Sequence, residues 1–193
     1  MTSTLLGLTH RFVIKSVDFT HKLLESSAQA ITIVLIMVIP AIASNDLKIQ
    51  SHCSDTELVV FSCQIKSSKK YLSICASKSP DAANHYVQYR FGLLGKREFE
   101  FPVDRTNSVE RFKISHYFRA KVDRRSLIFT NSNTKYIVFS DFEGEERPPQ
   151  KLAGVRIQDK SGHVGAKTLP CTNAFYDRLE NLDDIVEPDP DSL

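Results

Sequence analysis

There is no tryptophan in this 193-residue sequence, so a ligand cage built on indole faces is excluded. Glycine is scarce, seven in all, and none falls in a G-x-S-x-G, P-loop or G-x-G-x-x-G arrangement. The backbone turns that cradle phosphates or expose a serine nucleophile are therefore missing. Charge of one sign is lacking too. Twenty-five basic against 23 acidic residues give a net charge of +2, too balanced to drive nucleic-acid binding by electrostatics. No N-x-[ST] sequon occurs. Histidines after residue 43, namely His52, His85, His116 and His163, show neither H-x3-H nor H-E-x-x-H spacing. "DPDS" near the C-terminus lacks the glycine and final glutamate of a calcium loop. No catalytic residue, cofactor or metal ligand is expected, although Ser, His and Asp could still meet in space as a triad.

What is present begins with one long uncharged run, "SSAQAITIVLIMVIPAIAS" from Ser26 to Ser44. Its strongly apolar part, Ile31 to Ile39, has the length of a signal-peptide core, and Ala41-Ile42-Ala43 supplies small residues at alternate positions. The expectation is a signal peptide over residues 1–43, cleaved after Ala43. The competing reading is an uncleaved membrane anchor, since the run reaches the roughly 20 residues that span a bilayer, but Pro40, Ser26, Ser27 and Gln29 shorten its apolar length. No cysteine follows Ala43 directly, which excludes a lipoprotein. The expected location is periplasmic or secreted, with membrane contact only through an uncleaved leader.

All four cysteines, Cys53, Cys63, Cys75 and Cys171, lie beyond that cleavage point, an even number suited to an oxidising compartment. "SCQIKSSKKYLSICAS" reads as a hairpin. With Ser68, Lys69 and Lys70 as its loop, Ser67 opposes Tyr71 and Cys63 opposes Cys75, at a Cβ separation close to what a disulfide needs. Cys53 is then left to Cys171. Gaps of nine, eleven and 95 residues, with no C-x-x-C, do not suit zinc or redox chemistry.

The remainder, from Ser44, reads as all-β, mostly antiparallel, sandwich or barrel-like. Runs rich in β-branched and aromatic residues recur from "LVVFSCQI" to "VGAKTL", separated by "GLLGK", "TNSNT" and "DKSG". In "YVQYRF", Val87, Tyr89 and Phe91 alternate with Gln88 and Arg90, the pattern of a strand with one wet face. The cysteine hairpin looks covered on both faces. The domain is expected to cover 44–173. "EGEERPPQK" from Glu143 reads as a polar loop. Residues 174–193 read as a short C-terminal helix and acidic tail: Asn173 as cap, then Phe175, Leu179, Leu182 and Val186 at helical spacing, ending at Pro188.

Charge is unevenly spread. Beyond Leu179 there are six acidic and no basic residues, whereas Ser44 to Leu179 holds 22 basic and 15 acidic ones. Within that body "RAKVDRRS" groups Arg119, Lys121, Arg124 and Arg125, a candidate binding patch against which the acidic tail could fold.

"VVFSCQIKSSKKYLSICAS", "YVQYRFGLLGKREFEFP", "KYIVFS", "AGVRI" and a late "LPC" together resemble a pattern of uncharacterised exported bacterial proteins, over roughly Leu58 to Cys171. The resemblance implies an envelope or secreted location in a bacterium and carries no activity.

Two function classes follow. The first is a non-enzymatic periplasmic or secreted binding protein, inhibitory or immunity-like, whose partner is an envelope protein or an anionic envelope polymer. Its contact is expected on "EGEERPPQK" or "RAKVDRRS". The alternative is an exported hydrolase of unrecognised type, which needs a pocket holding a histidine beside a carboxylate or hydroxyl. A structural envelope component is a third possibility.

Overall fold

A computed structural model describes residues 49–78, 85–159 and 167–192; the expected signal peptide over 1–43 lies outside the described residues. Nine antiparallel strands form one sheet: β1 (Glu57–Ile65), β2 (Lys70–Ser77), β3 (Val87–Leu93), β4 (Lys96–Phe101), β5 (Phe112–Arg119), β6 (Val122–Asn131), β7 (Thr134–Glu143), β8 (Gln150–Asp159) and β9 (Lys167–Asp177). Their order is β4-β3-β2-β1-β9-β8-β7-β6-β5. Two runs of hairpins are thus joined by the last strand. The first part of β9 pairs with β8 and the later part with β1, so it passes from one half of the sheet to the other. Gly154 permits the crossing, because a Cβ there would lie 2.5 Å from the Leu169 carbonyl oxygen.

The sheet curls into a half-barrel whose inner faces meet over an aromatic core. Phe129 on β6 packs against Phe101 at 4.6 Å between ring centroids, Tyr136 at 4.8 Å and Tyr89 at 5.1 Å. β3 and β4 thereby close over β6 and β7 without hydrogen-bonding to them, and such ring pairs add to the area they bury.

Two segments seal the half-barrel. Outside, the chain from Ile49 to Ser54 runs over β1, β2 and β3: Ser62 Oγ donates to the Gln50 carbonyl at 2.7 Å and the His52 amide to Ser73 Oγ at 3.0 Å. Inside, the chain after β9 crosses back to β5 as a strap, burying Leu179, Leu182 and Val186 almost completely. Each is worth roughly 1.5–3 kcal/mol on the usual scale of side-chain burial.

The disulfides differ from the expected pairing. They join Cys53 to Cys75 and Cys63 to Cys171. The hairpin loop runs over residues 66–69, so Gln64 opposes Tyr71 and Cys63 opposes Leu72. Relative to the expected register this is a slip of three, and an odd slip turns a side chain to the opposite face. Cys63 therefore points inward with Leu72 and Ile74 and meets Cys171 on β9, while Cys75 points outward and holds the outer segment through Cys53. A bulge between Val59 and Phe61 adjusts the rest of the pairing.

The expected wet face of β3 is also dry. Gln88 and Arg90 are 1% and 2% exposed: the outer segment meets Arg90 through the His52 carbonyl, while Gln88 bonds to the Pro102 carbonyl and to Arg105. The expected C-terminal helix is absent: Phe175 belongs to β9, and Leu179–Leu182 is a single 3-10 turn. Pairing with β1 holds residues 175–177 extended, overriding the helical period, while the apolar positions the period picked out, Leu179, Leu182 and Val186, remain the ones that are buried. The described residues after β9 pack into the same core as the sheet, through Leu179, Leu182 and Val186.

Candidate binding tip

β5, β6, β7 and β8 all end or begin at one end of the sheet, where the β5–β6 turn and the β7–β8 loop lie side by side. These are the segments "RAKVDRRS" and "EGEERPPQK". Two contacts join them. The Gly144 amide donates to the Lys121 carbonyl at 2.7 Å, and the Arg119 guanidinium donates to both carboxylate oxygens of Glu145 at 2.6 and 2.7 Å. A side chain at Gly144 would meet that same carbonyl at 2.8 Å, and Lys121 itself adopts the left-handed backbone region at φ 67°. The tip is braced by main chain as well as by charge. Hydrogen bonding from Arg119 holds the Glu145 carboxyl below its ordinary range.

Strand alternation then distributes the side chains. On the inner face, two rungs run across the sheet: His116, Arg125, Ser140 and Ala153, and nearer the tip Phe118, Asp123, Phe142 and Lys151. On the outer face the corresponding rung is Tyr117, Arg124, Asp141 and Leu152. At the tip the apolar members of both faces are exposed, Phe118 at 72% and Phe142 at 40% on the inner face and Tyr117 and Leu152 at 49% each on the outer one. They project beyond the point where the opposite half of the sheet can cover them.

The four residues of the expected basic patch do not form one cationic face. Arg119 and Arg124 lie outside and Arg125 inside, with Lys121 in the turn. Each arginine has a carboxylate: Arg119 takes Glu145, Arg124 takes Glu143 at 2.5 Å, and Arg125 takes Asp183 of the strap. Together with Lys113 and Glu187, the last of these pairs fastens the acidic C-terminal segment to the basic body.

Between the inner rungs and the strap lies an open cleft of about 450 Å³, lined in part by Asp123, Ser140, Phe142, Lys151 and Asp177. His116 Nε2 lies 3.0 Å from the Asp123 carboxylate and 3.2 Å from Arg125 Nη2. Ser140 donates its hydroxyl hydrogen to Asp177 at 2.5 Å. Acid, base and hydroxyl are therefore neighbours, but the serine points to a carboxylate and not to the imidazole. Of the other histidines, His52 holds its ring against the Gly92 carbonyl at 3.1 Å, and His163 lies outside the described residues. Among the described residues no group of three His, Cys, Asp or Glu side chains gathers as a metal ion needs.

Comparison with protein-family models, with curated proteins and with solved structures finds no match to this chain.

Sequence reasoning found the two loops and missed the aromatics between them. A signal was available in "ISHYFR": Tyr117 and Phe118 are adjacent, so one faces each side of the sheet, at the end of a hairpin where no core remains to cover either.

Proposed function

We propose that this is a non-enzymatic binding protein of an exported compartment, periplasmic or secreted, of an inhibitory or immunity-like kind, which holds a protein partner with the β5–β8 tip. The observation that carries the reading is the exposure of Phe118 and Phe142 on a tip braced by Arg119–Glu145 and Gly144–Lys121. Aromatic anchors on rigid backbone bury large area while losing few rotamers, which is why they dominate protein interfaces. Two disulfides are consistent with an oxidising compartment. An anionic polymer is the weaker partner, because it would leave the exposed rings of Phe118 and Phe142 uncovered.

The test is affinity co-purification of the tagged protein from its own envelope fraction without reductant, beside Phe118→Ala and Phe142→Ala. A stoichiometric partner is expected with the unsubstituted chain and not with Phe118→Ala, at an unchanged melting temperature. Equal retention by both variants would remove the tip from the interface, and a clean monomer throughout would reject a binding role. Hydrolysis is the reading left in that case, with His116 and Asp123 as its starting point.

A further inference from the structure

The half-barrel leaves two strand edges, β4 and β5, and β5 is only half covered. Ile114 bonds outward to the C-terminal segment: its amide donates to the Glu187 carbonyl at 2.9 Å, and the Asp189 amide donates to the Ile114 carbonyl at 2.7 Å. The two stretches run parallel, with Ile114 opposite Pro188. Lys113 pairs with the Glu187 side chain. Residues 190–192 then form a 3-10 turn, and among the described residues no further bridge to β5 follows.

Antiparallel strands alternate residues whose main chain faces the partner with residues whose main chain faces away. Since Ile114 faces away from β6, so do His116 and Phe118. Their N–H and C=O groups lie on the uncovered stretch, where His116, Tyr117, Phe118 and Arg119 are all exposed. An unpaired strand edge is a template for one more strand.

We propose that this free half of β5 is the docking site for an acidic, extended segment of the partner, added to the sheet as a further strand beside His116 and Phe118. The inference rests on the tip reading and deepens it by naming the partner's chemistry. The molecule supplies the precedent, for its own acidic Glu187-Pro188-Asp189 already occupies the adjoining stretch in this way. Charge admits the same occupant: residues 112–125 hold five cations and one carboxylate, and since Lys113, Arg119, Arg124 and Arg125 already meet carboxylates of this chain, an acidic segment binds here by exchanging with those partners. Exchanging the exposed carboxylate of Glu145 for one on the partner costs Arg119 little, because solvent screens exposed ion pairs. Phe118 on the inner face and Tyr117 on the outer face would flank the incoming strand, so that main-chain bonds give affinity and these rings give selectivity. The β4 edge suits the same ligand less well: the cleft beside it is lined by three carboxylates, Glu98, Glu100 and Asp104, against one arginine, Arg111.

The experiment uses the intact, oxidised protein and a panel of synthetic eight-residue peptides with glutamate at alternate positions and varied apolar residues between them, beside lysine counterparts. Binding is read by fluorescence anisotropy, and the amides by hydrogen exchange. Acidic peptides are expected to bind at least about tenfold tighter than their lysine counterparts, more weakly as salt rises, and to slow exchange at His116 and Phe118. Phe118→Pro removes an N–H that β6 does not use and is expected to abolish binding, with Phe118→Ala beside it to separate ring from main chain. Acidic peptides that bind equally to Phe118→Pro, or that leave both amides unprotected, would overturn strand addition while leaving side-chain docking at the tip intact. Absence of binding across the panel would overturn the acidic segment as the ligand, whereas failure of the tip reading shows separately, in the co-purification.

Discussion

Arg90 and Glu57 form a bidentate ion pair, at 2.6 and 2.7 Å, beneath the outer N-terminal segment. Every N–H of the guanidinium finds an acceptor: Nε donates to Glu100, and the remaining two hydrogens go to the His52 carbonyl and Gln88 Oε1. Glu57 in turn accepts from the Ser54 amide, Tyr86 and Arg105. A charge buried this deeply is tolerable only when its hydrogen-bonding capacity is filled. The Cys53–Cys75 bridge holds the covering segment in place, which links the disulfide to the pair.

Removing one partner leaves the other charged and buried. Glu57→Ala and Arg90→Ala are each expected to cost about 3–5 kcal/mol in urea denaturation. A double replacement by apolar residues of similar volume is expected to cost less than either, because no uncompensated charge remains.

Acid should find the same place. Burial pushes the Glu57 carboxyl up, but hydrogen bonds from Arg90, the Ser54 amide and Tyr86 outweigh it and hold the group at about 2, against 4.5 for a free glutamate. A folded-state value below the unfolded one means stability that is fully present above pH 4.5 and lost as pH falls toward 2. Burial also lowers the pKa of His52 below 6.5, so its contribution begins to fall once pH drops below that value. Melting temperatures from pH 7.5 to 2 are expected to decline in two stages, and Glu57→Gln to flatten the lower one.

Non-reducing peptide mapping is expected to recover Cys53 linked to Cys75 and Cys63 linked to Cys171, and no crosslink between Cys63 and Cys75. The bridges span 22 and 108 residues, so the loop-entropy relation gives about 3 kcal/mol for the first and about 5 for the second. Replacing Cys63 and Cys171 together by serine should therefore lower stability more than replacing Cys53 and Cys75.

The strap contributes through packing. Leu182 is 1% exposed, and Leu182→Ala is expected to cost about 2–5 kcal/mol. By contrast, Arg119→Ala and Glu145→Ala are expected to leave the urea midpoint nearly unchanged, singly and together, because solvent screens an exposed ion pair.

Alternation and turn chemistry made the β architecture legible, because half-buried strands record their period in the residues themselves. The β7–β8 loop was legible as a polar interruption between such strands, and the β5–β6 turn only as a cluster of basic residues. The hairpin register was not, since Lys66, Ser67, Ser68, Lys69 and Lys70 permit more than one loop, and three positions of slip decide which face each cysteine takes. Nor was the burial of Arg90, whose alternation with Tyr89 reads as wet on one side until another segment is laid over it.

By itself the sequence determined the all-β class, the participation of all four cysteines in a pool suited to disulfides, and the apolar anchors Leu179, Leu182 and Val186. These are local or compositional properties, set by side-chain period and residue type. Only the tertiary structure decided the cysteine partners, the extended state of residues 175–177, the dry surroundings of Arg90 and the placing of Phe118 and Phe142 on one rung at the tip. Each of these depends on contacts between separate segments of the chain, which neither side-chain period nor composition records.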